Sequence, residues 1–359
     1  MNELDLRQDV AVLTEEIMNV ESVSGNEKQL ADLIFAALGK LEHLQVHRDE
    51  DALVARTNLG RERRVVLAGH IDTVPLPRTE GSKGTVPSQV IDGVLYGRGA
   101  TDMKGGVAVQ LALAALLTDP KHDITFIFYD HEEVEAEKSG LGRLARNNPE
   151  LLGADFAILL EPTNGTVEGG CNGTSRFLVR THGQAAHSAR AWMGHNAIHD
   201  ASQVLSRLAA YEPRTITVEG LEFREGMNAV RINGGVAGNV IPDYCEVEVN
   251  YRFAPDKNLE QAEAVVRELF DGFDVVRTDG ADGARPGLDQ EIAAELIAVL
   301  GEEPKPKYGW TDVARFSALG ISAVNFGPGD ALLAHSDDEH VPQQAVRDCL
   351  ATLQAWLSK

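Results

Sequence analysis

His70 and Asp72 stand two residues apart, directly after the apolar run Val65-Val-Leu67 and its flanking Ala68-Gly69. Along an extended backbone their side chains point the same way. A carboxylate so placed can hold one nitrogen of an imidazole whose other nitrogen binds a metal. Further acidic residues follow other apolar runs. Glu132 and Glu133 come after Ile124-Thr-Phe-Ile-Phe-Tyr129, Glu161 closes Phe156-Ala-Ile-Leu-Leu160, and Asp102 precedes the Ala/Leu-rich stretch 107–117. His335 follows Ile321-Ser-Ala-Val-Asn-Phe326 through a glycine-rich loop. Two histidines and three carboxylates suit a pair of borderline divalent ions such as Zn²⁺. A shared carboxylate would require those ions to lie about 3.5–4 Å apart. Adjacent carboxylates face opposite sides, so one of Glu132 and Glu133 can bind metal while the other takes a proton. Acidic groups at strand ends are also ordinary solvated loop residues, and spacing alone leaves both readings open.

The elements that must carry these residues alternate. Helical spacing covers about 10–20 and recurs at Leu30, Leu33, Ile34, Leu38 and Leu41, behind a cap region at Ser24-Gly-Asn-Glu27. Strands are expected over 53–57, 64–67, 124–129, 156–160 and 321–326, with helices over 107–117 and 343–357 and helical spacing at Ile292, Leu296 and Leu300. Fully apolar strands interleaved with helices predict an α/β fold whose sheet carries a site along one edge. From about Arg176 the pattern changes: Glu246-Val-Glu-Val-Asn-Tyr251 alternates, as strands with one wet face do. That predicts a smaller α+β domain over 175–286, inserted into a first domain made of 1–174 and 287–359.

At 359 residues the chain is long for one core. Its 43% hydrophobic and 25% charged residues are those of a soluble globular protein. No apolar run approaches the roughly 20 residues of a membrane span. The opening Met1-Asn-Glu-Leu-Asp-Leu-Arg7 lacks an export signal, so a cytoplasmic location is expected. Three scattered cysteines fit free thiols, and Cys171, without a His/Asn partner pattern, reads as structural. A formal charge of −22 argues against a nucleic-acid surface, so an anionic substrate must be met by local cations.

Several motifs resemble one family. Gly69-His-Ile-Asp-Thr-Val-Pro75, Gly97-Arg-Gly-Ala-Thr-Asp-Met-Lys-Gly105, Asp130-His-Glu-Glu133, Glu161-Pro-Thr163, Ala186-His-Ser-Ala189 and Ala334-His-Ser-Asp337 together look like the dinuclear-zinc aminoacylase/carboxypeptidase metallohydrolases. The likeness runs over nearly the whole chain. It implies a zinc-peptidase-like catalytic domain with a mixed sheet flanked by helices, and a ferredoxin-like inserted domain serving dimerisation and as a lid. It also implies two Zn²⁺ per subunit, with Co²⁺ able to substitute, and hydrolysis of an N-acyl amino acid amide.

On this resemblance Asp102 bridges the metals, His70 and Glu161 complete one site, and Glu133 and His335 the other. Asp72 orients His70, Glu132 is the general base, and the Asp102–Met103 peptide is cis. His187 would reach the partner subunit's active site in a homodimer made through the inserted domain. Arg252, Arg190, Asn239 and Thr311 are candidates for substrate contact. One departure is Glu161, where close relatives often carry Asp. His131 matches no ligand position and reads as a residue that packs or supports the ligands from behind, and His340 as a surface residue. The motifs do not separate an N-acyl deacylase from a dipeptidase. An inactive metal-binding interaction protein is the non-enzymatic alternative, against which an intact Glu132 counts.

Overall fold

In the computed structural model, which describes residues 3–359, the chain forms two units. The first takes the chain through Gly169, together with Gly287–Lys305 and Arg315–Lys359. The second comprises Gly170–Pro286 and Pro306–Ala314.

The first unit is built on an eight-stranded mixed sheet. In chain order its strands are β1 (Gln45–Asp49), β2 (Ala52–Arg56), β3 (Arg64–His70), β4 (Asp123–Tyr129), β5 (Phe156–Leu159), β6 (Glu168–Gly169), β7 (Lys305–Pro306) and β8 (Ser322–Asn325). In space they run β1-β2-β4-β3-β5-β8-β6-β7. β3 pairs in parallel with both β4 and β5, and β8 in parallel with β5. β1, β2 and β6 join antiparallel. The parallel strands are covered on both faces, which explains why Val65–Ala68 and 124–129 are apolar without alternation.

Helices α1 (Val10–Met18), α2 (Lys28–Leu38), α3 (Lys104–Leu116), α4 (Glu291–Leu300) and α5 (Gln343–Leu357) pack with the sheet into one core. Every residue of α3 except Leu116 is buried. Its Gly106 lies so close to the Leu160 carbonyl that a Cβ would collide with it. This close approach packs α3 against the segment that ends β5. α2 starts at the end of the expected cap region Ser24–Glu27: its N-cap position is Glu27, which makes no side-chain capping bond.

The second unit is a four-stranded antiparallel sheet in the order Gly226–Gly234, Tyr244–Phe253, Gly173–His182, Asp274–Ala281. Helices Ala197–Ala209 and Leu259–Leu269 complete a β-α-β-β-α-β order, the ferredoxin-like arrangement. Alternating burial along Tyr244–Phe253 matches a sheet with one covered face. The segment Pro306–Ala314, expected with the catalytic domain, groups with this second unit instead. Trp310 Nε1 there donates to the Asp282 carbonyl at 3.1 Å, and Cys171 Sγ to the Thr311 carbonyl at 3.8 Å.

Candidate metal centre

The ends of the parallel strands collect the sequence candidates. His70 pairs in register with Tyr129, so the residues beyond β3 and β4 leave the sheet side by side. Ala68 is level with Leu159, which puts Glu161, two residues further, beside the His70 position on the adjacent strand. Glu161 is 6% exposed. This is the carboxyl end of the sheet's parallel strands, where open α/β folds build their sites.

Asp102 lies between the two histidines. Its Oδ1 is 3.0 Å from His70 Nε2 and its Oδ2 is 3.2 Å from His335 Nε2. His335 Nε2 is also 2.9 Å from Glu133 Oε1. Single donor atoms of His70, Asp102 and Glu133 lie within 4.8 Å of one another. Imidazole nitrogens and carboxylate oxygens at this spacing fit a borderline divalent ion. The Asp102–Met103 peptide is cis.

Protonation follows the same contacts. Hydrogen bonds to Asp102 and then Glu133 push the His335 imidazole up to about 10, against a smaller cost of burial. For His70 burial opposes the charged ring, but bonds to Asp102 and Asp72 outweigh it and raise its pKa. Burial also opposes ionisation of Asp102, yet His335 and His70 hold its carboxyl well below the usual range. The cluster therefore favours positive charge on or between its members, and protons and a metal ion compete for the same atoms.

Asp72 holds more than His70. The His70 Nδ1 lies 3.0 Å from the Asp72 backbone carbonyl and 3.4 Å from its Oδ1. The carboxylate itself accepts the backbone N–H of Glu132 on Oδ1 at 3.0 Å and that of Glu133 on Oδ2 at 3.1 Å. Ser24 Oγ donates to Oδ2 at 2.7 Å. Burial raises the cost of this charge, but hydrogen bonds from His70, Ser24 and the Glu132 N–H keep the carboxyl below its ordinary value. Ser24 arrives there because Val23 bridges Thr73 in parallel.

The turn carrying Glu132 and Glu133 is braced from behind. His131 has a positive φ of 58°, and its Nδ1 is 2.7 Å from Asp130 Oδ2. Arg143 donates to both oxygens of Asp130, at 3.2 and 2.9 Å, while buried Glu27 accepts the N–H of Gly25 at 2.9 Å and of His131 at 3.3 Å. Sequence reasoning missed Ser24, Glu27 and Arg143: the first two act on residues distant along the chain, and Arg143 acts on Asp130, itself no ligand candidate. His340, expected on the surface, is half-buried, its ring 4.7 Å from that of Tyr96.

The remaining candidates belong to the second unit. His187 is exposed, and its Nδ1 accepts the N–H of Ala189 at 3.1 Å. Asn239 accepts the Ser188 N–H on its carbonyl at 2.9 Å, and Arg190 is exposed with a non-helical φ of −131°. Arg252 is half-buried on its strand, and Thr311 is buried. Burial, then repulsion from Arg176, lowers the pKa of the Arg252 guanidinium. Among the described residues no carboxylate forms an ion pair with Arg252. Burial pushes the Cys171 thiol up to about 11, which leaves it un-ionised near neutrality and a poor nucleophile.

Comparison with known proteins adds to this geometry. A model of peptidase family M20/M25/M40 matches residues 66–359. The sequence is 46% identical over 367 residues to the succinyl-diaminopimelate desuccinylase of Corynebacterium glutamicum, covering 99% of this chain and 98% of that one. It is 48% identical, over 99% of both chains, to a Mycobacterium tuberculosis protein provisionally named as succinyl-diaminopimelate desuccinylase DapE. Among solved structures, the YXEP protein of Bacillus subtilis, described as a dinuclear metal-binding peptidase, shares the fold. Its TM-score is 0.73 at 17% identity, covering 98% of this chain and 97% of that one.

Proposed function

This chain belongs to peptidase family M20/M25/M40, and from that premise we propose that it is a metal-dependent succinyl-diaminopimelate desuccinylase. The reaction is hydrolysis of the amide of N-succinyl-LL-2,6-diaminopimelate to succinate and LL-diaminopimelate, a step of lysine and diaminopimelate biosynthesis. The observation that carries the substrate assignment is full-length similarity to desuccinylases of that name. The chemistry is supported by Asp102, whose two oxygens face one histidine each.

His70, Asp102, Glu133, Glu161 and His335 would hold two Zn²⁺ per subunit, with Co²⁺ able to replace them. Such ions acidify water and polarise an amide carbonyl. Glu132 takes the proton from the attacking water and returns it to the leaving amine. Its backbone is held by the Asp72 carboxylate, which sets where its own carboxylate starts from. Arg252, a half-buried cation without an ion-pair partner among the described residues, suits a substrate carboxylate, and Arg190, Asn239 and Thr311 are further contacts.

A homodimer through the second unit is part of the same proposal, with His187 donating to the oxyanion in the partner subunit's site. The edge strand Gly226–Gly234, whose Val230 and Ile232 are 57% and 48% exposed, supports that interface. No helix among the described residues is long and apolar enough to cross a membrane, and a cytoplasmic location accords with the biosynthetic role.

A related N-acyl amino acid deacylase, such as an acetylornithine deacetylase, or a dipeptidase would use the same residues at the metals. A substrate panel on purified, Zn²⁺-loaded protein separates these activities. N-succinyl-LL-diaminopimelate should be cleaved with the highest kcat/KM, ahead of N-acetylornithine and dipeptides. Thorough chelation should abolish turnover, and Zn²⁺ or Co²⁺ should restore it. Preference for N-acetylornithine would overturn the substrate assignment, and full activity in metal-free protein would overturn the mechanism.

A further inference from the structure

Arg98 stands four residues before Asp102, and Glu339 four residues after His335. The two side chains meet in the interior. Arg98 Nη1 donates to Glu339 Oε2 at 2.7 Å, with 3% and 0% of the side chains exposed. The other oxygen, Oε1, accepts the backbone N–H of Thr101 and of Asp102, each at 3.1 Å. Further bonds join the same two loops. Arg98 Nη1 donates to the Ser336 carbonyl at 3.3 Å, Gly97 N–H to the Glu339 carbonyl at 3.0 Å, and Thr101 Oγ1 to the His340 carbonyl at 2.9 Å.

A carboxylate that accepts two successive N–H groups defines the orientation of the peptides between them. Those peptides lead into Asp102, so the direction in which its side chain leaves the backbone depends on Glu339. We propose that Glu339, with Arg98 as its counter-ion, is the positioning residue for the bridging carboxylate. It holds Asp102 at the angle that presents one oxygen to His70 and the other to His335, and ties the Asp102 loop to the His335 loop. This rests on Asp102 being the shared metal ligand.

Glu339→Gln separates positioning from general stability. The amide has one acceptor oxygen and two N–H donors, while Arg98 and the two backbone groups are all donors. One side of the contact must therefore lose its acceptor although the volume is unchanged. Groups that orient metal ligands typically contribute about 10–100-fold in metal affinity.

The test titrates Zn²⁺, and separately Co²⁺, into metal-free wild type, Glu339→Gln and Asp102→Asn in competition with a chelator. Co²⁺ absorption spectra and melting curves accompany each titration. Glu339→Gln should melt cooperatively without metal, bind about 10–100-fold more weakly, and show an altered Co²⁺ spectrum. Its kcat should fall with KM little changed. Wild-type affinity and spectrum in Glu339→Gln, with or without a lowered Tm, would overturn the positioning role while Asp102→Asn still loses metal. If Asp102→Asn also binds like wild type, the ligand reading itself falls and the proposal falls with it. Should Glu339→Gln not fold, Arg98→Lys keeps the charge but loses the planar donor geometry. A drop in affinity in that variant supports the role, and wild-type affinity overturns it.

Discussion

The backbone N–H of Glu133 donates to Oδ2 of Asp72 at 3.1 Å, so a candidate metal ligand is held by the residue two places beyond another. The same carboxylate takes the Glu132 N–H, and its own backbone carbonyl faces His70 Nδ1. One aspartate thus aligns a ligand from β3 with the turn after β4. Asp72→Asn replaces one acceptor oxygen by a donor, which leaves either Glu132 or Glu133 without its partner. Metal affinity should fall about 10–100-fold, and kcat with it, measured by chelator competition and steady-state kinetics. Unchanged affinity and kcat would remove the clamp role.

Glu132 is assigned proton transfer rather than metal binding. Glu132→Gln is nearly isosteric and spares all five ligand candidates, so metal content should be retained. The rate should drop about 10²–10⁴-fold, the usual range for a general base. Elemental analysis alongside kcat decides the matter: a near-normal rate with both metals bound would exclude Glu132 as the base.

Metal-free protein should show a distinct pH signature at His335. Bonds to Asp102 and Glu133 raise its imidazole to about 10, against about 6.5 for an unperturbed histidine. A raised folded-state pKa stabilises fully below the unfolded value and is lost as pH rises through the folded one. Lys104, which burial draws down to about 7, acts in the opposite direction over part of this range. Comparing wild type with His335→Gln cancels that contribution. The Tm difference in favour of wild type should be largest near pH 6 and close toward pH 10. A difference that is constant or grows with pH would contradict the assigned contacts.

His187 sits in the second unit, and every proposed metal ligand sits in the first. If it serves the partner subunit's site, Glu132→Gln and His187→Ala should each be nearly inactive alone yet complement when mixed. In a hybrid dimer one site receives both defects and the other none. With random equal mixing half the dimers are hybrids, each with one intact site of two, so about a quarter of wild-type activity should return. No recovery, with hybrids shown to form by native mass spectrometry, would place His187 in its own subunit's site or outside catalysis.

Composition, periodicity and residue type determined much of this molecule. The runs at 64–67, 124–129 and 156–160 announce buried strands because they are apolar without alternation, and that is a local property of the chain. His70, Asp72, Glu132, Glu133 and Glu161 were visible because they stand just beyond such runs. Asp102, before a helix, and His335, after a glycine-rich loop, were visible by position too, and the motif likeness gave each its role. Tertiary structure alone decided which of these groups meet. Ser24 reaches Asp72 across 48 residues, and Arg98 reaches Glu339 across 241. Hydrophobic pattern carries no record of a contact between segments so far apart, which depends on strand order and register. The same holds for Pro306–Ala314, which returns to the second unit after the chain has re-entered the first. No periodic signal marks that return, because what holds the segment is a set of bonds such as that from Trp310 to the Asp282 carbonyl, which no local pattern records.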